Sequence, residues 1–118
     1  MELGYSGAVD GAGLPHGRGT LCFPDGSRYE GRFDHGVRQG RGKLIEPDGS
    51  YQVGHWEDDE LWGPGSLVDA DGNELRGMMH DGEIEGDATE HCPRGAITFQ
   101  GSFRRGRRDG VGVSLVGC

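Results

Sequence analysis

The chain has 118 residues, 25 of them glycine, with 32% hydrophobic residues and a formal net charge of −8. One domain is expected at this length, and the low apolar fraction argues against a deep globular core but not against an array of units that bury themselves on their neighbours. A chain this acidic repels phosphate backbones and anionic lipid over most of its length, and no stretch approaches the roughly 18–20 apolar residues of a membrane span.

The charge is unevenly placed. Residues 1–43 hold six Lys/Arg against five Asp/Glu, residues 44–93 one against fourteen, and residues 94–118 five against one. The acidic middle would attract a basic protein partner. Three cysteines, Cys22, Cys92 and Cys118, are odd in number and widely spaced. With no apolar segment after Met1 resembling a signal peptide, reduced thiols in an intracellular protein, cytoplasmic or nuclear and not secreted, are the expectation.

Tyr5-Ser6-Gly7-Ala8-Val9 opens a degenerate first unit whose spacing slips by one residue. The full pattern stands at Tyr29: glycine follows at +2, +7, +11, +13 and +20, and an aromatic at +4, giving Gly31, Phe33, Gly36, Gly40 and Gly42. Gln52 opens the next copy, with Gly54, Trp56, Gly63 and Gly65, and with Asp59 in place of the glycine at +7. Leu75 opens a fourth, with Gly77, and Phe99 a fifth, with Gly101 and Phe103. The openers recur every 23 or 24 residues, a period that marks a solenoid or repeat array. The units run over about 5–28, 29–51, 52–74, 75–98 and 99–118, the first and last atypical or incomplete.

Tyr29, Gly31 and Phe33 alternate with Glu30 and Arg32, and Gly40, Gly42 and Leu44 with Arg41 and Lys43, the period of two that belongs to strands with one covered face. Each unit is therefore two strands. One turn carries Gly36, Asp59, Gly82 or Gly106; the other carries an Asp-Gly pair at Asp25, Asp48 or Asp71, which signals φ > 0. The expected fold is all-β: a single-layer antiparallel meander of stacked β-hairpins with essentially no helix. Aromatic rings should lie over the bare backbone at Gly31, Gly40 and Gly42. In the fourth unit Met79 replaces the aromatic, Ala88 a glycine and His91-Cys92-Pro93-Arg94-Gly95 the Asp-Gly turn, so it should be the least ordered.

The run from Tyr29 to Gly42 resembles the MORN repeat, and the copies at Gln52, Leu75 and Phe99 look like further members. MORN repeats accompany many activities, so the resemblance implies a scaffold more than a reaction. Three segments, Asp10 to Gly17, Trp56 to Gly63 and His80 to Gly86, are similar to the MORN-repeat region at the N-terminus of a SET-domain histone lysine methyltransferase. That resemblance implies an S-adenosylmethionine-dependent SET domain elsewhere in such a protein, beyond the interrupted repeat at Cys118. Its catalytic motifs transfer to no residue of this chain.

Candidate chemistry is sparse. Gly40-Arg41-Gly42-Lys43 is followed by Leu44 where a P-loop needs Ser/Thr, so no nucleotide cofactor is expected. None of the five histidines, His16, His35, His55, His80 and His91, has a zinc-ligand spacing to a second ligand, and all read as solvated turn or strand residues, so no metal is expected. No catalytic residue is assigned, and the chain as given is not read as an enzyme. Two charge runs remain. Glu57-Asp58-Asp59-Glu60 could meet a basic partner. Arg104, Arg105, Arg107 and Arg108 could meet an anion, an anionic lipid or the acidic middle of a second copy.

Overall fold

The computed structural model describes residues 4–115, the side chain of Val111 excepted. Expectations that involve Cys118 lie outside the described residues. Ten strands follow in order: β1 Gly4–Val9, β2 Pro15–Cys22, β3 Arg28–Asp34, β4 Val37–Ile45, β5 Tyr51–Glu57, β6 Glu60–Val68, β7 Glu74–His80, β8 Glu83–His91, β9 Ile97–Arg104 and β10 Arg107–Ser114. They form one antiparallel sheet in which each strand pairs with its neighbours in sequence. This is the expected all-β meander, without helix among the described residues, drawn out to 51 × 24 × 21 Å.

Alternation places the apolar side chains on one face. Tyr29, Phe33, Trp56, Leu61, Met79, Ile84, Ala88, Phe99 and Phe103 are buried there in a single file, with Tyr5, Leu21, Leu44, Leu67 and Leu75 packed against them. The rings meet edge to face, Tyr5 on Phe33 at 5.6 Å, Phe33 on Tyr29 at 5.0 Å and Tyr29 on Trp56 at 5.4 Å between centroids. Each such contact contributes roughly 0.5–1.5 kcal/mol beyond its buried area.

The glycines at +2 and +13 stand opposite one another across successive strands: Gly7, Gly19, Gly31, Gly42, Gly54, Gly65 and Gly77, then Ala88, Gly101 and Gly112. The Tyr29 ring lies over Gly42 so closely that a Cβ there would come within 2.6 Å of Tyr29 Cε1. Gly40 is different. A Cβ on it would meet Arg32 Cδ at 3.4 Å rather than a ring, which corrects the expectation that a ring covers it. Its role is conformational: between the pairs Gly31–Gly42 and Phe33–Arg38, β4 carries two residues more than β3, and Gly40 makes this bulge with φ +94°. The same two-residue excess recurs in all five hairpins and includes Gly17, Gly63, Gly86 and Gly110.

The two kinds of turn differ. His35-Gly36, Asp58-Asp59, Asp81-Gly82 and Arg105-Gly106 form two-residue connections with positive φ at both positions, which matches the right-handed twist of the flanking strands. At the longer turns only the glycine, Gly26, Gly49 or Gly72, has positive φ. In the first two the aspartate before it acts through its side chain: Asp25 Oδ1 accepts from Ser27 N at 2.8 Å and Ser27 Oγ at 2.6 Å, and Asp48 does the same for Ser50. At Gly72 it is instead Asp69 Oδ1 that accepts from Asp71 N and Asn73 N.

The fourth unit keeps its place in the sheet despite its drift. Leu75 is too short to cover the ladder as Tyr29 does, and the Ala88 methyl fills the vacated space, 2.8 Å from where a Cβ on Gly77 would stand. Met79 and Ile84 are buried beside it. His91 is buried too, contrary to the expectation of a solvated residue, with Nε2 2.8 Å from Thr89 Oγ1. Cys92 is disulfide-bonded, which corrects the expectation of reduced thiols there, whereas Cys22 is a free, exposed thiol.

Candidate functional site

The two-residue turns lie along one long edge of the sheet and are stitched together by a repeated pair of bonds. The backbone N–H of the second turn residue donates to the preceding unit: Gly36 to Pro15 O at 2.7 Å, Asp59 to Arg38 O at 3.2 Å, Gly82 to Leu61 O at 3.3 Å and Gly106 to Ile84 O at 3.0 Å. At three of them the first turn residue donates to a side chain of that unit: His35 N to His16 Nδ1 at 3.2 Å, Asp58 N to Gln39 Oε1 at 3.1 Å and Arg105 N to Glu85 Oε1 at 2.8 Å. This edge is thus a rigid row of tips that presents side chains at fixed intervals.

The acidic run Glu57 to Glu60 is one such tip. Asp59 is paired although half exposed: its Oδ1 accepts from Arg38 N at 2.8 Å and Arg38 Nε at 3.0 Å, and the guanidinium lies 4.8 Å from the Trp56 ring centroid. Glu57, Asp58 and Glu60 remain exposed, and Asp81 and Glu83 continue the acidic row on the next tip. The arginine run forms the following tip but does not act as one patch. Arg108 Nε donates to Glu90 Oε2 at 2.6 Å and its guanidinium covers the Phe99 ring at 3.8 Å. Arg104 reaches Asp109 at 4.0 Å, and Arg105 borders a hollow with His80, Asp81, Glu83 and Glu85. Of the four, Arg105 and Arg107 are exposed with neither an ion pair nor a side-chain hydrogen bond among the described residues, Arg105 being tied to Glu85 only through its backbone N–H.

One cluster was hidden in the sequence. The pairing of β2 with β3 brings His16 and His35, nineteen positions apart, to ring centroids 4.4 Å apart, with Asp34 Oδ1 3.5 Å from His16 Nδ1 and 3.6 Å from His35 Nε2. Asp10 Oδ2 contacts His35 Nδ1 at 2.6 Å. Hydrogen bonding to Asp10 raises the His35 pKa above its ordinary value, and hydrogen bonding to His35 lowers that of Asp10. Two imidazoles and a carboxylate are chemically able to hold a divalent cation, but His16 Nδ1 and His35 Nδ1 are already engaged within the fold. Local spacing gave no signal because the register, not the sequence interval, sets this distance.

The geometry defines a class: a single-layer β-hairpin repeat array with one face spent on its own core. The MORN repeat model matches residues 12–28, 29–51, 53–74 and 99–115, more than half of the chain, so the chain belongs to the MORN repeat family. The unmatched interval includes the fourth unit, where Leu75, Met79 and Ala88 depart from the pattern. No curated protein matches the chain.

Proposed function

We propose that this MORN array is a non-catalytic scaffold whose hairpin tips dock a basic segment of a partner protein. The observation that supports it is the exposed row of Glu57, Asp58, Glu60, Asp81 and Glu83 on two adjacent tips held in fixed relation by backbone bonds. A row of like charges on a rigid edge gives register to a lysine- or arginine-rich chain and speeds its capture. Fluorescence anisotropy with a labelled lysine-rich peptide tests it. Binding should weaken with salt and in the Glu57→Gln/Asp58→Asn/Glu60→Gln variant; equal binding by that variant refutes the tip site.

A second reading rests on the motifs at Asp10, Trp56 and His80: the array is the N-terminal part of a SET-domain lysine methyltransferase. An in-frame SET domain in the full-length transcript is the result that supports it, and a transcript without one refutes it. The anionic-lipid reading retains Arg104, Arg105 and Arg107, since Arg108 is held by Glu90. Flotation with anionic vesicles, lost in an Arg104/Arg107 double substitution, would carry it. Self-association between the arginine tip and the acidic tips of a second copy predicts a salt-sensitive sedimentation coefficient.

A further inference from the structure

The face opposite the aromatic file has its own charge pattern, and across β2, β3 and β4 it is basic in excess, with Arg18, Arg28, Arg32, Arg41 and Lys43 against Glu30 and Asp34. Arg18 stands directly opposite Arg32 across β2 and β3, and Arg41 follows on the same side of β4. Like charges directly opposite one another in a sheet are destabilising. Five other arginines, Arg28, Arg38, Arg76, Arg104 and Arg108, each reach a carboxylate. In a chain with 20 Asp/Glu against 12 Lys/Arg, Arg18, Arg32 and Arg41 are exposed and, like Arg94, Arg105 and Arg107, reach none among the described residues, but these three lie together on the adjacent strands β2, β3 and β4. Such an uncompensated cluster is the arrangement that a bound anion relieves.

The shape is a trough. The backbone at Gly19, Gly31 and Gly42 floors a hollow of ≈ 450 Å³ whose walls include Arg18, Arg41 and Lys43 and one carboxylate, Glu30, which Arg28 holds at 2.7 Å. A second hollow of ≈ 440 Å³ shares Arg41 and Val53 with the first and continues to Arg76 and Met78. Together they cross the sheet from β2 to β7, five strand spacings of about 4.8 Å, a path that about seven residues of extended chain would span at about 3.3 Å each. We propose that this trough binds an extended, Asp/Glu-rich segment of another protein, its carboxylates meeting Arg18, Arg32, Arg41 and Lys43.

Charge complementarity selects the ligand. The recessed floor suits a single extended chain rather than the plane of a bilayer, and the acidic tips at Glu57 to Glu60 repel a nucleic-acid backbone that extends past the basic stretch. Val53, Pro64 and Met78 add apolar contact for the stems of the peptide's side chains. This site differs from the acidic tips in both position and the sign of its ligand, so either can fail without the other.

The test is fluorescence anisotropy with a labelled, glutamate-rich octapeptide, beside a lysine-rich octapeptide and phosphatidylserine vesicles. The glutamate peptide should bind with an affinity that falls with salt. Arg18→Glu/Arg41→Glu should weaken it by about tenfold or more, while Arg107→Glu, on the tip edge, should leave it unchanged. Circular dichroism checks folding, and if the reversal variant is unfolded, Arg18→Gln/Arg41→Gln must show the loss instead. The proposal is overturned by absence of peptide binding, by binding that survives the folded double variant, or by retention on vesicles alone. Filling of the trough by a second copy, seen as sedimentation of a dimer that the glutamate peptide does not dissociate, would also overturn it.

Discussion

The indole N–H of Trp56 donates to the carbonyl of Gly42 at 2.8 Å in the buried core. Gly42 is also the residue over which the Tyr29 ring lies. One glycine therefore joins two units, covered by the aromatic of its own hairpin and bonded by the aromatic of the next. This coupling makes the file of rings continuous where a single hairpin could not bury its own face.

Replacing Trp56 separates the two contributions. Trp56→Phe keeps most of the ring but removes the donor from a buried carbonyl, and should cost about 1–3 kcal/mol. Trp56→Ala also removes the packing and should cost about 3–5 kcal/mol. Chemical denaturation measures both; an unchanged midpoint for Trp56→Ala would refute the stacking of one unit on the next.

Gly42→Ala forces a methyl into the Tyr29 ring and should cost about 1–3 kcal/mol as overpacking. The fourth unit shows the natural compensation, an alanine in the ladder paired with a shorter opener: Ala88 with Leu75. Adding Tyr29→Leu to Gly42→Ala should thus cost less than the two single changes together. A double-mutant cycle with zero coupling would contradict this account.

The Asp10–His35 contact has a defined pH window. His35 has a raised pKa through its hydrogen bond to Asp10, so its contribution is fully present below its unfolded value of 6.5 and is lost as pH rises through the folded value. Asp10 is lowered chiefly by His35, so its contribution is present above its unfolded value of 3.8 and is lost as pH falls through the folded value. The pair stabilises most between those two unfolded values. Proton NMR should show His35 titrating above 6.5, and Asp10→Asn should bring it down; the same titration in both proteins would show that the contact does not persist in solution.

Burial pushes the Tyr29 hydroxyl up to about 12, against 10.0 for a free tyrosine. The neutral form is favoured in the fold, so this stability is present below pH 10 and is lost as pH rises through the folded value. Ultraviolet titration should contain a step near 12 that disappears in Tyr29→Phe. Persistence of that step would reassign it to another tyrosine.

Much of the fold was readable from the chain. The 23- or 24-residue recurrence and the alternation around Gly31 specified hairpins, their order and the buried file, because a strand's period of two depends on nothing beyond the strand. The charged candidates were less legible. Glu57 to Glu60 and Arg104 to Arg108 each read as one patch, yet Asp59 is bound to Arg38 and Arg108 to Glu90, contacts that span neighbouring units. Asp25 and Asp48 were read as half of a positive-φ pair, whereas their carboxylates organise the turn and only the glycine takes positive φ.

The sequence by itself determined the array, its period and the face that becomes the core, since these follow from local alternation and from glycines that leave room for rings. Only the tertiary structure decided which residues of different units share a surface. The continuous register between β2 and β3, strands of successive units, sets His16 beside His35 and Arg18 opposite Arg32, and the two-residue bulge between β3 and β4 carries Arg41 to the same side. A bulge is a backbone event whose effect appears on the next strand, so no interval in the chain announces it.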